Sequence, residues 1–307
     1  MRVALCVHAD DAVEVFERFR AEMPDAHIED AREAPDGADY VVVGVRDDTL
    51  FVRQRGMKAV FGLGAGVNGI LALPKLPPHV PLIRLEDAGM APQMVRYVVA
   101  VALRVCVRFD AYARQQRGRR WEQLPPRTPG DLQAGVLGLG VIGGAIADAL
   151  VTQGFRVRGH ARTPHARPGV ACFAGDDALD AFLAGLDLLV AVVPLTDSTR
   201  GILNRRTLAS LADGAHLINI GRGALAVDDD VLAMLDSGKL SGATLDVFAT
   251  EPLPETHPYW ARDDVTVTPH VSGTTLPGEA VAQIAGKIRR LEQGLAVGGV
   301  VDRARGY

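Results

Sequence analysis

The stretch that decides the fold is Gly135-Val136-Leu137-Gly138-Leu139-Gly140-Val141-Ile142-Gly143. Before the second glycine, Ala134–Leu137 is a short apolar run of strand type. After the motif, Gly144–Val151 continues in Ala, Ile and Leu at helical spacing. Gly138, Gly140 and Gly143 complete the pattern G-x-G-x-x-G. One glycine permits a tight turn, the second lets the backbone approach a pyrophosphate, and the third lets helix and strand pack closely. The helix start adds unpaired N–H groups and the positive end of a dipole. Glycine-rich turns are common, and the strand before and helix after are what make this one a dinucleotide site.

The next strand refines the cofactor. In this kind of fold an Asp or Glu about 20 residues beyond the motif takes the ribose hydroxyls. The segment Phe155–Arg167 contains no acid; His160 stands where the acid would sit, followed by Arg162 and Thr163. A guanidinium suits a ribose 2′-phosphate, which a carboxylate would repel. One charge-assisted hydrogen bond of roughly 1.5–3 kcal/mol corresponds to about a 10- to 150-fold preference. NADP(H) is therefore the expected cofactor, with NAD(H) as a weaker alternative. The expected cofactor contacts here are Gly138, Gly140, Val141, Ile142, Gly143, His160, Arg162 and Thr163.

Composition bounds the rest. At 307 residues the chain suits two domains, and 48% hydrophobic content supplies their cores. A formal charge of −4 gives no general surface for polyanions, so nucleic acid is not an expected partner. The start, Met1–His8, is strand-like and quickly followed by acids, unlike a signal peptide. The longest apolar stretch, Tyr97–Val107, is interrupted by Arg104, so no membrane span is expected. Cys6, Cys106 and Cys172 are scattered and odd in number, as in a reducing compartment, and suggest neither a disulfide framework nor a metal site. A cytoplasmic location is the resulting expectation.

Strand and helix patterns alternate throughout, which favours an α/β fold of two Rossmann-like domains with parallel sheets. Strands are expected at Val3–Val7, Tyr40–Val43, Lys58–Phe61, Val80–Ile83, Arg156–Arg158, Leu186–Val193, Ala215–Ile220, Ala243–Val247 and Val265–Thr268. A long helix is expected over Pro92–Gln116, and a closing helix over Glu279–Gly294. Leu124–Gly130, rich in Pro, cannot continue a helix. Because the cofactor unit begins in mid-chain, residues 98–274 are read as the dinucleotide-binding domain. Residues 1–97 with 275–307 form a discontinuous substrate domain, and the active site is expected in the cleft between the two.

Three later strands end in groups that suit one chemistry. Arg222 lies between Gly221 and Gly223, Asp246 closes Thr244–Val247 and is followed by Glu251, and His270 follows Val265–Pro269. Reducing a ketone by hydride transfer builds negative charge on oxygen, so a cation must hold the substrate and an acid must deliver a proton. Arg clamps a carboxylate bidentately. A His held by Glu is oriented and kept charged. His257, within a Pro-rich loop, is the nearest competing histidine.

These motifs together resemble the D-isomer-specific 2-hydroxyacid dehydrogenases over essentially the whole length. The resemblance rests on Phe61-Gly-Leu-Gly-Ala-Gly-Val67, Arg84–Met90, Gly138–Gly143, Gly221–Gly223, Leu245–Phe248 with Glu251-Pro252, and Thr268–Val271. Within the family, Arg84–Met90 and Arg162 point to the glyoxylate/hydroxypyruvate reductase subgroup. The resemblance implies that Arg222 holds the keto acid, His270 donates the proton and Glu251 sustains its charge. It further implies that Asp246 bonds the nicotinamide carboxamide, and that Val193, Pro194, Thr196, Ile220 and Gly221 border the cofactor. The amides of Gly66 and Val67 would bind the substrate carboxylate, and the protein would be a homodimer. Asn68 stands where the family usually has Asp, and Arg96 where it usually has Glu. A dehydrogenase for a bulkier D-2-hydroxy acid, or a nucleotide-sensing binding protein, remains open on these residues.

Overall fold

The structure is a computed structural model that describes residues 1–64 and 66–307. Ala65, inside the glycine-rich stretch 61–67, lies outside the described residues. The chain divides into two compact units, Met1–Met90 with Thr274–Tyr307, and Ala91–Gly273. The first division falls at the start of a helix, seven residues before the position expected from the sequence.

In the first unit, β1 (Arg2–Cys6), β2 (His27–Asp30), β3 (Tyr40–Val43), β4 (Ala59–Gly62) and β5 (Leu82–Ile83) form a sheet in the order β2-β1-β3-β4-β5. Every pairing is parallel. Side chains alternate across a strand. Val3 and Leu5 therefore meet Phe19, Phe61 and Ile284 on one face, while Ala4 and Cys6 meet Val41, Val60 and Leu82 on the other. The helix Pro277–Glu292 lays Ala280, Val281, Ile284, Ala285 and Ile288 against the first of these faces, at the spacing of one helical stripe. The chain end then adds to the sheet edge, where Val301 N–H donates to the Leu82 carbonyl.

The second unit carries β6 (Gln133–Leu137), β7 (Arg156–Ala161), β8 (Val170–Ala174), β9 (Leu188–Ala191), β10 (Ala215–Asn219), β11 (Leu240–Leu245) and β12 (Val265–Val267). All pair in parallel, in the order β12-β11-β10-β9-β6-β7-β8. The order reverses between β6 and β9, and in open α/β sheets ligands bind outside the carboxyl ends at such a switch point.

Two strands go beyond the sequence expectation. His27–Asp30 is largely polar, and Val170–Ala174 is an edge strand with no fully buried residue. The helix expected over Pro92–Gln116 is two helices, Met90–Cys106 and Phe109–Arg117. They break at Arg108, whose φ of 59° is left-handed. Among the described residues no single helix is long and apolar enough to cross a membrane.

Candidate active site

The glycine turn after β6 shows a different need at each glycine. Gly138 has φ +108°, and its N–H donates to the His160 carbonyl at 2.9 Å. A Cβ at this position would lie 2.9 Å from Val193 Cγ1 and 3.2 Å from the Val192 carbonyl. A Cβ on Gly143 would lie 1.8 Å from the Gly138 carbonyl oxygen, so the third glycine is compelled by helix-to-turn contact. Gly140, which caps the helix Val141–Thr152, has open space where its Cβ would be. Two glycines thus serve the protein's own packing, and the middle one leaves its face clear for a ligand. The first N–H groups of that helix have no acceptor within it, as an anion site requires. These residues fit a dinucleotide pyrophosphate.

The expectation for His160 is corrected. It is the fifth residue of β7, and its side chain turns inward, leaving 8% exposed. Its Nε2 bonds the Gly175 carbonyl at 2.9 Å and its ring packs on Phe182. The side chain is therefore part of the sheet's packing, and only its main-chain carbonyl serves the site, by holding Gly138. Arg162 and Thr163, just past the strand, are both exposed. The His165 ring bonds the Thr163 carbonyl at 2.7 Å, which shapes this loop. Arg167 pairs instead with Asp148 on the neighbouring helix.

The next strand ends close around this turn. After β9, Thr199 Oγ1 donates to the Pro194 carbonyl at 2.7 Å and accepts from the Thr196 N–H at 2.8 Å, folding Val193–Thr199 back on itself. Ile220 and Gly221 follow β10 and are buried; a Cβ on Gly221 would lie 3.0 Å from the Val193 carbonyl. A Cβ on Gly223 would strike the main chain of Phe248 at 1.8 Å. Arg222 is thus clamped between two glycines that each touch another strand end. Asn219, not singled out from the sequence, supports the turn by accepting from Gly221 N–H at 3.2 Å and donating to the Arg222 carbonyl at 3.1 Å. Burial lowers the pKa of Arg222 and the Glu251 carboxylate opposes that shift. The guanidinium keeps its charge, because an arginine does not deprotonate in proteins.

Past β11 and β12 lies a paired acid and base. His270 Nδ1 is 2.8 Å from Glu251 Oε2, and Glu251 Oε1 accepts the Phe248 N–H at 2.9 Å. A carboxylate only accepts, so Nδ1 carries the shared proton and Nε2 is left to exchange one with a ligand. The His270 side chain is 46% exposed. Its φ is +55°, an uncommon conformation for a residue with a side chain.

Asp246 shows no exposed surface. Oδ1 accepts from Thr268 Oγ1 at 2.5 Å and from Val271 N–H at 2.9 Å, while Oδ2 accepts from Ser272 N–H at 2.9 Å. Its contacts are therefore with the turn that carries His270, where the resemblance implies the nicotinamide carboxamide. The sequence assigns no role to Thr268, Ser272 or Tyr97; a hydroxyl carries no local signal of what it will meet. His257 has a structural part, its Nδ1 accepting the Tyr259 N–H at 3.3 Å.

In the first unit, Gly66 is exposed and Val67 buried, between β4 and the short helix Asn68–Leu71. The Val67 carbonyl accepts from the Ile70 and Leu71 N–H groups at 3.0 and 2.9 Å. Arg96 is exposed on the helix Met90–Cys106 of the second unit.

A parallel sheet with its glycine turn at the switch point, joined to an Arg, a Glu–His pair and a buried Asp on later strand ends, defines an NAD(P)-linked dehydrogenase class. The chain belongs to the D-isomer specific 2-hydroxyacid dehydrogenase family, whose NAD binding domain matches residues 99–272. It is 46% identical over 275 residues to the glyoxylate/hydroxypyruvate reductase A of Serratia proteamaculans (strain 568), covering 88% of each chain. A solved D-isomer specific 2-hydroxyacid dehydrogenase from Xanthobacter autotrophicus Py2, in complex with NADPH and MES, is 39% identical with a TM-score of 0.94. That match covers 100% of this chain and 99% of the other. The NADPH-dependent glyoxylate/hydroxypyruvate reductase of Sinorhizobium meliloti, solved with NADP and sulfate, is 34% identical with a TM-score of 0.92, over 100% and 99% of the two chains.

Proposed function

We propose that the protein is an NADPH-dependent reductase of small 2-keto acids, with glyoxylate and hydroxypyruvate as its first substrates. The observation that carries the reading is the 2.8 Å pair of His270 with Glu251, beside an arginine clamped in the same unit. The relatives named as glyoxylate/hydroxypyruvate reductases supply the substrate class.

The bound nicotinamide supplies the hydride. Arg222 holds the carboxylate or carbonyl oxygen of the keto acid and stabilises the negative charge that grows there. Its partial burial strengthens that interaction, because charges attract more in a less polar surrounding. His270 gives the proton from Nε2 to the developing alkoxide, while Glu251 fixes the ring through Nδ1 and compensates its positive charge. In the first unit, the amides of Gly66 and Val67 are assigned to the substrate carboxylate.

For the cofactor, Gly140 and the helix start at Val141 and Ile142 take the pyrophosphate, and Val193, Pro194, Thr196, Ile220 and Gly221 border the cofactor. Arg162 and Thr163 take the ribose 2′-phosphate. A homodimer is also proposed, supported by the exposed Phe109, Tyr112 and Trp121; light scattering that gives a monomer mass removes it.

The test is oxidation of NADPH, followed by its near-ultraviolet absorbance, with glyoxylate, hydroxypyruvate, pyruvate and phenylpyruvate, each repeated with NADH. The fastest turnover is expected with the two small oxygenated acids and NADPH. Turnover confined to phenylpyruvate would discard the substrate class and keep the acid–base assignment.

A further inference from the structure

His270 has a left-handed backbone, φ +55°, at the residue proposed to deliver the proton. Such a conformation costs of order 1–3 kcal/mol and persists only where the surroundings over-determine it. One restraint is on the ring, from Glu251. The others act on the main chain, and they converge on one residue. The Asp246 carbonyl accepts the His270 N–H at 2.9 Å, and the Asp246 carboxylate accepts the N–H groups of Val271 and Ser272. Three successive amides of the catalytic turn are therefore held by one aspartate.

That aspartate is itself held from behind. Thr268 Oγ1 donates to Asp246 Oδ1, and Tyr97 Oη lies 2.7 Å from the same threonine oxygen. A hydroxyl has a single proton, and the ionised carboxylate can only accept. The threonine proton is thus committed to Asp246, and Tyr97 must donate to Thr268. The chain of bonds runs in one direction, from the phenol on the helix Met90–Cys106, through the threonine just beyond β12, to the carboxylate just beyond β11. Bonds aligned in this way polarise one another in a buried setting. Burial raises the pKa of Tyr97, which keeps the phenol a donor at neutral pH.

We propose that Tyr97 and Thr268 are positioning residues that hold Asp246, and through it the turn Thr268–Ser272, so that His270 Nε2 is kept in its working orientation. The proposal rests on the reading of His270 as the proton donor. Neither residue needs to touch substrate or cofactor.

The experiment compares Thr268→Val, Thr268→Ser and Tyr97→Phe with the parent protein, using hydroxypyruvate and NADPH. Loss of the charge-assisted bond in Thr268→Val is expected to lower kcat by about tenfold, at the low end of what such a bond supplies. The KM for NADPH should stay within about twofold, since Thr268 is not among the residues assigned to the cofactor. Thr268→Ser should restore kcat to within about twofold of the parent, because it returns the donor. Tyr97→Phe, which deletes one oxygen, should lower kcat about threefold, as a neutral hydrogen bond one step removed. Amide hydrogen exchange on the protein without substrate gives the second readout. Faster exchange confined to residues 268–273 is expected in Thr268→Val and Tyr97→Phe.

Unchanged kcat and unchanged exchange in both variants would overturn the proposal. So would faster exchange across the whole seven-stranded unit with a lowered Tm, which would make the chain of bonds merely structural. Should Thr268→Val not fold, Tyr97→Phe decides alone. Intact turnover in His270→Gln would remove the chemistry on which the proposal rests, and the exchange pattern would then separately decide whether the hydroxyl chain holds the turn.

Discussion

The turn after β12 and the loop after β7 stand at two strand ends of the same sheet and are built in opposite ways. The turn Thr268–Ser272 is tied by three amides and a hydroxyl to one fully buried aspartate, with a second carboxylate on its histidine. The loop Arg162–Ala166 is exposed throughout, and a histidine ring on a carbonyl ties it to itself. Proton transfer tolerates little error in geometry, because the donor must sit within hydrogen-bond reach of the developing oxyanion. Discrimination of a 2′-phosphate, the role proposed for Arg162, asks chiefly for a charge that can reach it, and a long cation suits that task. On the proposed roles, the main-chain ties are concentrated at the turn assigned to proton transfer, and the loop assigned to the 2′-phosphate is exposed.

The comparison is tested most severely at His270. His270→Gln keeps a polar side chain of similar reach and removes the transferable proton. Turnover is expected to fall about 10²- to 10⁴-fold, the usual range for a general acid. The Kd for NADPH, measured by fluorescence titration, should be unchanged. A parallel loss of cofactor affinity would show that the turn also shapes the cofactor site, and the division of labour would fail.

Much of this arrangement is legible in the amino-acid sequence. The glycine turn is legible because it sits between an apolar strand run and a helical pattern. Gly138 and Gly143 meet separate packing demands there, and Gly140 leaves a clear face. Arg222, Glu251 and His270 are legible because they follow apolar strand runs at the points where chains turn. His160 misleads for a simple reason. Counting residues from the motif finds the end of β7, where the His160 ring packs on Phe182 and bonds the Gly175 carbonyl, contacts that sequence spacing does not show. Arg162, two residues on, lies beyond the strand and is exposed. The break at Arg108 has no Gly or Pro to announce it. The ties from Tyr97 through Thr268 to Asp246 join residues 171 and 22 positions apart, and only the fold brings them together.

A second effect bears on how the first is measured. His216 lies in β10, with its Nε2 3.0 Å from Thr244 Oγ1, and burial lowers its pKa to about 4. Its folded pKa is therefore below the unfolded value of about 6.5. As pH falls through that window the unfolded chain takes up a proton and the folded protein does not, so stability declines. The full loss between about pH 6.5 and pH 4 is of order 3 kcal/mol, and no further loss from this group occurs below it. The acid limb of a rate profile then mixes protonation of the site with unfolding. Thermal melts at several pH values should show a decline in Tm across this window that is shallower in His216→Asn. An identical slope in both proteins would mean that His216 does not set it.

If the loop after β7 reads the 2′-phosphate as proposed, changes there shift cofactor specificity without touching turnover. Arg162→Ala should lower the ratio of kcat/KM for NADPH over NADH by about 10-fold, the low end of the 10- to 150-fold range, since an exposed charge is screened by salt. The kcat with saturating NADPH should hold within about twofold, because uniform binding lost from a remote group raises KM alone. A fall in kcat of the same size would mean that the loop transmits to the catalytic turn, and the contrast between the two regions would be lost.

The smallest effect is expected beside it. Thr163 offers a neutral hydroxyl, and Thr163→Val keeps its shape, so the NADPH preference should fall only about two- to fivefold. The Thr163 carbonyl, which anchors the His165 ring, survives this substitution. Comparing the salt dependence of the two variants separates charge from hydrogen bonding. The preference that remains in Thr163→Val should weaken as ionic strength rises, because Arg162 still supplies it. The preference that remains in Arg162→Ala should be nearly flat with salt. Equal salt slopes would mean that a different cation reads the 2′-phosphate, and Arg162 would lose its role while the glycine turn and the His270–Glu251 pair kept theirs.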